Sequence, residues 1–255
     1  MIETPTDILH LCSVLEKLNN LVALSLIRVL NFYPSNYTNE EMNQVCSRIN
    51  KTLRRSYKLK KIDLSFNFLR SRLFSLLRGL VQPLEYLNLQ DCRLDSADIA
   101  YLNTNTMLKC LRSCKELNLS MNDFSQSHTI VFNIISNSTQ LNCLSISYCQ
   151  IPIDIMCQNL VSRIILDPLN EPTHFSKLKV IYIQPFTPPK MHEILDILHS
   201  FSMIKSLQKF FFLPSLYAFP GTNDYEREIN AMKIIQICSS VLESKGRSDI
   251  DFINQ

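Results

Sequence analysis

The segment Leu84–Leu94 reads LEYLNLQDCRL, with apolar residues at its first, fourth, sixth and eleventh positions. The same spacing returns in LKKIDLSFNFL (59–69), CKELNLSMNDF (114–124) and LNCLSISYCQI (141–151). Weaker copies begin at Leu21, Leu178 and Leu207, and RSDIDFI (247–253) reads as a final strand. Agreement of this kind between separate segments indicates an internal repeat.

The spacing is typical of a short β-strand followed by a turn. Side chains of a strand alternate between its faces, so the fourth and sixth positions should enter a core and the third and fifth should face outward. The ninth position should turn inward, where an amide can bond to backbone groups that the bend leaves unpaired. It holds Asn67, Cys92, Asn122 and Cys149. The pattern is the leucine-rich repeat signature, and its cysteines are predicted to be structural.

Apolar residues at helical spacing lie between the predicted strands. One such set is Leu73, Leu76, Leu77 and Leu80, which Gly79 and Pro83 should terminate. Another runs from Ile130 to Ile135. A third should follow a cap at Thr187 and Pro188 and bury Met191, Ile194, Leu195 and Leu198. The last should begin at Asn223 or Asp224, end before Gly246, and bury Ala231, Ile234, Ile235, Cys238, Val241 and Leu242.

These units predict an α/β fold, and the alternation of Asn and Cys resembles the ribonuclease-inhibitor-like class of leucine-rich repeats. Such a solenoid is a horseshoe with a parallel sheet on the concave face and helices on the convex face. We expect one domain over 1–255, with an irregular N-terminal repeat (1–56), central repeats (57–220) and a capping helix and strand (221–255). Long gaps predict insertions, notably at 167–176. The predicted fourth positions are Leu24, Ile62, Leu87, Leu117, Leu144, Ile181, Phe210 and Ile250.

Composition and motifs exclude several classes of function. The sequence has only three glycines, so it contains no P-loop, no dinucleotide-binding fingerprint and no G-x-S-x-G nucleophile elbow. The five histidines form no H-E-x-x-H, and Cys110 with Cys114 is a pair without a second pair at zinc-finger spacing. We therefore predict a protein that is not an enzyme, with no cofactor and no metal.

Charge and hydropathy bear on the compartment. The balance of 26 Lys and Arg against 23 Asp and Glu leaves +3, too little to indicate nucleic acid or an anionic membrane by bulk charge. The N-terminus lacks a basic region ahead of an apolar stretch, and no apolar run approaches the roughly 18 residues of a membrane span. Nine cysteines, an odd number with several at core positions, fit a reducing compartment. We expect a cytoplasmic protein, with the nucleus left open as a second location.

The alternation rule predicts a protein-binding surface on the concave face. Its apolar end should lie toward the C-terminus, where Val180, Tyr182 and Phe211 would offer aromatic anchors. The alternative is that a loop covers them, either the segment before His174 or the insertion at 210–219. The predicted binding residues are Lys61, Asp63, Tyr86, Asn88, Glu116, Asn118, Tyr182, Lys209 and Phe211.

A basic run, RINKTLRRSYKLKK, spans residues 48–61 and contains no acid. One interpretation is a site for nuclear import or an acidic partner, with nucleic acid as a minor alternative. The other is a solvated helix face, which fits the near absence of aromatic residues for base stacking. The candidate patch consists of Arg48, Lys51, Arg54, Arg55, Lys58 and Lys60.

The segments LKKIDLSFNFLRSRLFSLLRGL (59–80), PLEYLNLQDCRL (83–94) and VLESKGRSDIDF (241–252) resemble the PRAME family, particularly the branch of leucine-rich repeat-containing protein 14. The resemblance covers about 20–252 and the family's C-terminal repeat half. It implies non-catalytic protein binding by a regulatory adaptor, either restraining NF-kappa-B signalling through the IKK complex or serving as an elongin and cullin-2 ubiquitin-ligase receptor. Residues Thr6 to Cys12 are only a broken match to an elongin-binding box, because Glu16 stands where an apolar residue is required.

Overall fold

A computed structural model of the protein describes residues 5–18, 20–30, 37–165, 175–185, 189–212 and 223–253. Within these ranges eight short strands form one parallel sheet, and each strand pairs with the next along the chain. The strands are β1 (Ala23–Ser25), β2 (Lys61–Asp63), β3 (Tyr86–Asn88), β4 (Glu116–Asn118), β5 (Cys143–Ser145), β6 (Val180–Tyr182), β7 (Lys209–Phe211) and β8 (Asp251–Ile253).

Helices precede and connect these strands, so the chain alternates between the two kinds of element. The described helices are α1 (Pro5–Leu15), α2 (Asn39–Arg55), α3 (Leu73–Leu77), α4 (Ser96–Leu102), α5 (Asn105–Leu111), α6 (His128–Asn137), α7 (Ile153–Ile165), α8 (Met191–Ser202) and α9 (Asp224–Ser244). Parallel neighbours require such crossover connections, because a tight turn cannot return the chain to the same end of the sheet.

The core lies between the sheet and the helices. Fourth-position residues stand opposite one another in register from Leu24 on β1 to Phe210 on β7, and all seven are buried as predicted. They join the apolar helix residues in a single hydrophobic cluster. The prediction for the last repeat was wrong by two residues, since Phe252 pairs with Phe210 while Ile250 precedes the strand.

The inward position of the turn is confirmed as a backbone-binding position. The Asn67 amide nitrogen donates to the carbonyl oxygens of Leu26 at 2.7 Å and Leu64 at 2.6 Å, and its Oδ1 accepts from the Leu30 N–H. Where the repeat carries Cys92 instead, the thiol donates to the Leu64 carbonyl at 3.0 Å. Both residue types thus bind the sixth-position carbonyl of the preceding repeat.

The residue before each of these turn positions adopts a left-handed backbone conformation without being glycine. Phe66, Asp91, Met121 and Tyr148 have φ between 48° and 61°, and Arg28 in the first repeat has φ 57°. Repeats with cysteine in the turn have a second left-handed residue directly after it, Arg93 or Gln150, both with φ 53°. Backbone bonds made by the buried turn residue hold conformations that these side chains would otherwise avoid.

The helices correct several details of the sequence prediction. Helix α3 ends at Leu77, although Leu80 is buried beyond it. The predicted cap at Thr187 and Pro188 lies outside the described residues, and α8 instead begins at Met191 with Lys190 as its N-cap. In α8 Met191 and Leu195 are exposed; the buried residues are Ile194, Ile197, Leu198, Ser200 and Phe201.

Glycine and asparagine mark the ends of the last helix as the sequence predicts. Asn223 caps α9 by accepting a hydrogen bond from the Glu226 N–H at 2.9 Å, and Gly246 follows the helix with φ +70°. Cys238 and Leu242 are buried against the rest of the domain. The helix therefore closes the C-terminal end of the sheet together with β8.

Candidate functional site

The side chains at the third and fifth repeat positions form one surface on the side of the sheet opposite the helices, which we call the strand face. All nine binding residues predicted from the sequence lie on it. Its first row is Ala23, Lys61, Tyr86, Glu116, Cys143, Val180, Lys209 and Asp251, and its second row is Ser25, Asp63, Asn88, Asn118, Ser145, Tyr182 and Phe211.

The N-terminal half of the strand face is a network of polar side chains. Asp63 accepts hydrogen bonds from the Tyr86 hydroxyl at 3.2 Å and from the Asn88 amide at 3.1 Å. On the next strands the Asn118 amide donates to Gln90 Oε1 at 3.2 Å. Asn88 is only 8% exposed, so it orients its neighbours and offers little surface to a partner.

The C-terminal half is aromatic. The rings of Tyr182 and Phe211 stack with centroids 4.3 Å apart and planes 11° from parallel, and both side chains remain partly exposed. Val180 beside them is half-buried, while Lys209 is exposed at the edge. The insertion residues 213–219 and 167–174, including His174, which could cover this end, lie outside the described residues.

A cavity of about 260 Å³ separates the polar and aromatic halves. Tyr86 stands on one side and Tyr182 on the other, with Glu116, Asn118, Cys143 and Ser145 along the floor. Glu116 is exposed, and no described Lys, Arg or His forms an ion pair with its carboxylate. The cavity therefore presents a carboxylate between two phenol rings.

Burial and the carboxylates together shift the titration of the groups around this cavity. Burial raises the pKa of Tyr182, and the nearby Cys143 and Glu116 raise it further. The pKa of Tyr86 is raised mainly by burial and to a lesser extent by Asp63. The pKa of Cys143 is raised to about 11, again mainly by burial, with a smaller effect of Glu116. Both phenols and the thiol are thus protonated at neutral pH.

Three members of the predicted basic patch make contacts with other side chains or backbone groups of the chain. Arg48 donates to the Leu9 carbonyl at 2.9 Å, and Lys51 lies 3.1 Å from Glu16. Lys60 lies 2.8 Å from Glu85. Lys51 and Lys60 remain exposed in these pairs, and Arg54, Arg55 and Lys58 are exposed as well. Helix α2 ends at Arg55, so the run 48–61 is not one helical face.

The segment compared with an elongin-binding box belongs to helix α1. Its apolar residues Ile8 and Cys12 are buried, and α1 packs against α2. Glu16 directly follows this helix and pairs with Lys51 and, at 3.7 Å, with Arg48. The apolar face of this segment is thus occupied by the domain itself.

A second cavity, of about 670 Å³, was not anticipated from the sequence. It lies at the turns that follow β2 to β5, and its walls include Arg70, Asp91, Arg93, Asp123 and Tyr148. Several of these residues occupy the eighth and tenth repeat positions, which flank the inward Asn or Cys. The regular spacing of these two positions could have indicated a common surface at the turns. The alternation rule does not predict it, because that rule applies within a strand and not beyond the bend.

In comparisons with known proteins, no family model matches the chain and no curated protein matches it. Among the described residues no cluster of three or more His, Cys, Asp or Glu side chains could hold a metal ion. No helix in the described ranges has the length and apolar character needed to cross a membrane.

Proposed function

We propose that this chain is a leucine-rich repeat solenoid of the ribonuclease-inhibitor-like class, which binds a protein partner on its concave face as a non-catalytic regulatory adaptor. In this proposal the strand face is the concave face. The class is supported by the in-register strands and by the Asn and Cys residues that bind the preceding repeat.

The observation that carries the binding proposal is the stacked pair of Tyr182 and Phe211 on the strand face. Seven strand spacings of about 4.8 Å give this face a width of about 34 Å, which suits a protein surface better than a small molecule. Partly exposed aromatic rings at one end, beside a hydrogen-bonded polar region, match the anchors and polar surroundings of protein interfaces.

The test compares two double variants in cross-linked affinity purification from the native cell, with bound proteins identified by mass spectrometry. Tyr182→Ala with Phe211→Ala removes the stacked pair. Tyr57→Ala with Phe74→Ala removes two exposed aromatic rings that lie away from the strand face. We expect the first variant to lose its specific partners at least tenfold and the second to keep them, with both remaining folded by circular dichroism. Equal capture by both variants would refute the placement of the site.

Ubiquitin-ligase receptor activity is the alternative proposal, and it depends on the family resemblance. This proposal requires that elongin and cullin-2 co-purify with the wild-type chain. They should also co-purify with the Tyr182→Ala/Phe211→Ala variant. The burial of Ile8 and Cys12 favours the plain adaptor, because those residues are not available to a ligase subunit. Restraint of NF-kappa-B signalling is likewise proposed from the resemblance, and recovery of IKK subunits without ligase components would support it.

Association with nucleic acid is the weaker alternative. It is disfavoured because Lys51 and Lys60 are paired with acidic residues of the chain and Arg48 bonds to the Leu9 carbonyl. Retention on nucleic acid that falls steeply with salt, and is lost when Arg54 and Arg55 are neutralised, would be needed to restore it.

A further inference from the structure

The cavity in the middle of the strand face is small. Its volume of about 260 Å³ is below the roughly 300–1,000 Å³ usual for small-molecule pockets. It is open to solvent above β4 and β5, between Tyr86 and Tyr182. A partner lying across the strand face could therefore insert one long side chain into it.

Charge selects which side chain fits. Glu116 contributes a carboxylate to the floor, and burying it under a partner would be costly without a cation beside it. Among the residues that the structure describes, the nearby bases do not supply that cation. Lys115 is engaged with Glu85 at 2.8 Å, and Lys61 on β2 lies two strands, about 10 Å, from Glu116 and does not line the cavity.

The flanking rings narrow the choice further. Tyr86 is held by its hydrogen bond to Asp63, and Tyr182 is held by its stack on Phe211. Each ring thus already has one contact within the chain that favours its observed orientation. A planar guanidinium can stack on one of these rings and bind a carboxylate through two parallel N–H donors, whereas an ammonium is a compact point charge without a planar face.

We infer that this cavity receives an arginine side chain of the protein partner, with Glu116 as the ion-pairing residue and Tyr86 and Tyr182 as the flanking walls. The inference rests on the proposed function and specifies what the partner must present: an arginine that projects from a surface able to cover the Tyr182 and Phe211 pair.

The test uses acetyl-arginine amide as the probe and acetyl-citrulline amide, its uncharged isostere, as the control, both added to the full chain. We expect the arginine probe to shift the NMR ring signals of Tyr86 and Tyr182 saturably in the millimolar range and to slow alkylation of Cys143. Citrulline should do neither. Glu116→Gln should weaken arginine binding about tenfold. Asp251→Asn removes a charge from the same row four strands away and should leave binding unchanged.

Equal effects of arginine and citrulline, unaltered binding by Glu116→Gln, or no saturable shift would overturn the inference. Partner capture separates this failure from failure of the proposed function. If Tyr182→Ala with Phe211→Ala loses the partner while Glu116→Gln keeps it, the strand face binds protein but not through an arginine. If neither variant loses it, the strand face is not the binding site.

Discussion

Asn122 Oδ1 accepts a hydrogen bond from the backbone N–H of Cys92, the residue at the same position of the preceding repeat, at 3.2 Å. The Asn122 amide also donates to the carbonyls of Leu89 and Leu119 at 2.8 and 2.9 Å, so one buried side chain joins two repeats. Cys149 then donates its thiol to the Leu119 carbonyl at 3.3 Å. The turns therefore form a continuous series of side-chain bonds to the backbone beneath the sheet.

The first prediction concerns this series. Asn122→Ala leaves several buried backbone groups without a partner and should lower the free energy of unfolding by at least about 3 kcal/mol. Asn122→Cys keeps a donor for the Leu89 carbonyl but removes the acceptor for Cys92, so its loss should be smaller. Urea unfolding followed by circular dichroism measures both. A loss in Asn122→Cys as large as in Asn122→Ala would show that the thiol cannot replace the amide.

The second prediction concerns the left-handed residue before it. Met121 has φ 61° and is 41% exposed, so substitution there tests the backbone more than the core. Met121→Val should destabilise the fold by about 1–2 kcal/mol, because a β-branched side chain is strained in that conformation. Met121→Asn should be neutral or stabilising, since asparagine tolerates it. Thermal unfolding of the two variants tests this prediction. Equal midpoints would contradict the left-handed conformation of residue 121.

The two described glycines should respond to alanine for different reasons. A Cβ at Gly79 would lie 2.9 Å from the Asn50 carbonyl oxygen of α2, so Gly79→Ala must push that helix away and should cost about 1–3 kcal/mol. A Cβ at Gly246 meets nothing within 4 Å, and Gly246→Ala should cost only the strain of its φ of +70°, about 1 kcal/mol. Amide hydrogen exchange in α2 and α3 should become faster in Gly79→Ala but not in Gly246→Ala. The same change in both variants would contradict the close contact between Gly79 and α2.

The free energy of unfolding should depend on pH through the titration of Asp98. Its buried carboxyl, on α4, accepts hydrogen bonds from the backbone N–H groups of Ser71 and Leu73 at 2.9 Å each. Burial outweighs these bonds and raises its pKa from 3.8 to about 6. Between roughly pH 4 and 6 the folded state then binds more protons than the unfolded state, so this group's contribution to stability falls as pH rises.

Asp98→Asn supplies the matched comparison, because an amide does not titrate. We expect the difference in unfolding free energy between wild type and Asp98→Asn to shrink from pH 4 to pH 6 and to stay constant above it. A difference that instead grows over this range would mean that the backbone donors lower the pKa below its ordinary value.

Cys143 should be the reactive thiol of the native chain. It is the one cysteine of nine that is not buried, and its pKa of about 11 makes the thiolate rare at neutral pH. Alkylation of the folded protein at pH 8 should therefore be slow, reach one equivalent, and accelerate about tenfold per pH unit. Cys143→Ser should abolish it and Glu116→Gln should speed it. Modification of a second thiol at a similar rate would contradict the burial of the others.

Some of this architecture could be predicted from residue spacing alone. Strand alternation placed Ile62 and Leu87 in the core and Lys61 and Tyr86 on the strand face, because a period of two fixes which side a residue faces. The inward bend at Asn67 followed from the need to satisfy backbone groups at a turn. By contrast, the last strand could be located, but its register could not be predicted. Ile250 and Phe252 are both apolar and two residues apart, so either could take the fourth position, and only the pairing with Phe210 selects Phe252.

The sequence by itself determined the repeat, the parallel strands and the set of residues on the strand face, because these depend on local periodicity and on backbone hydrogen bonding. Only the tertiary structure decided which side chains on and around this face act together. The stack of Tyr182 on Phe211, the pairing of Lys60 and Lys115 with Glu85, and the open carboxylate of Glu116 arise between residues 25 or more positions apart. Such contacts depend on the separation of whole strands and on rotamer packing, which spacing along a single chain does not encode.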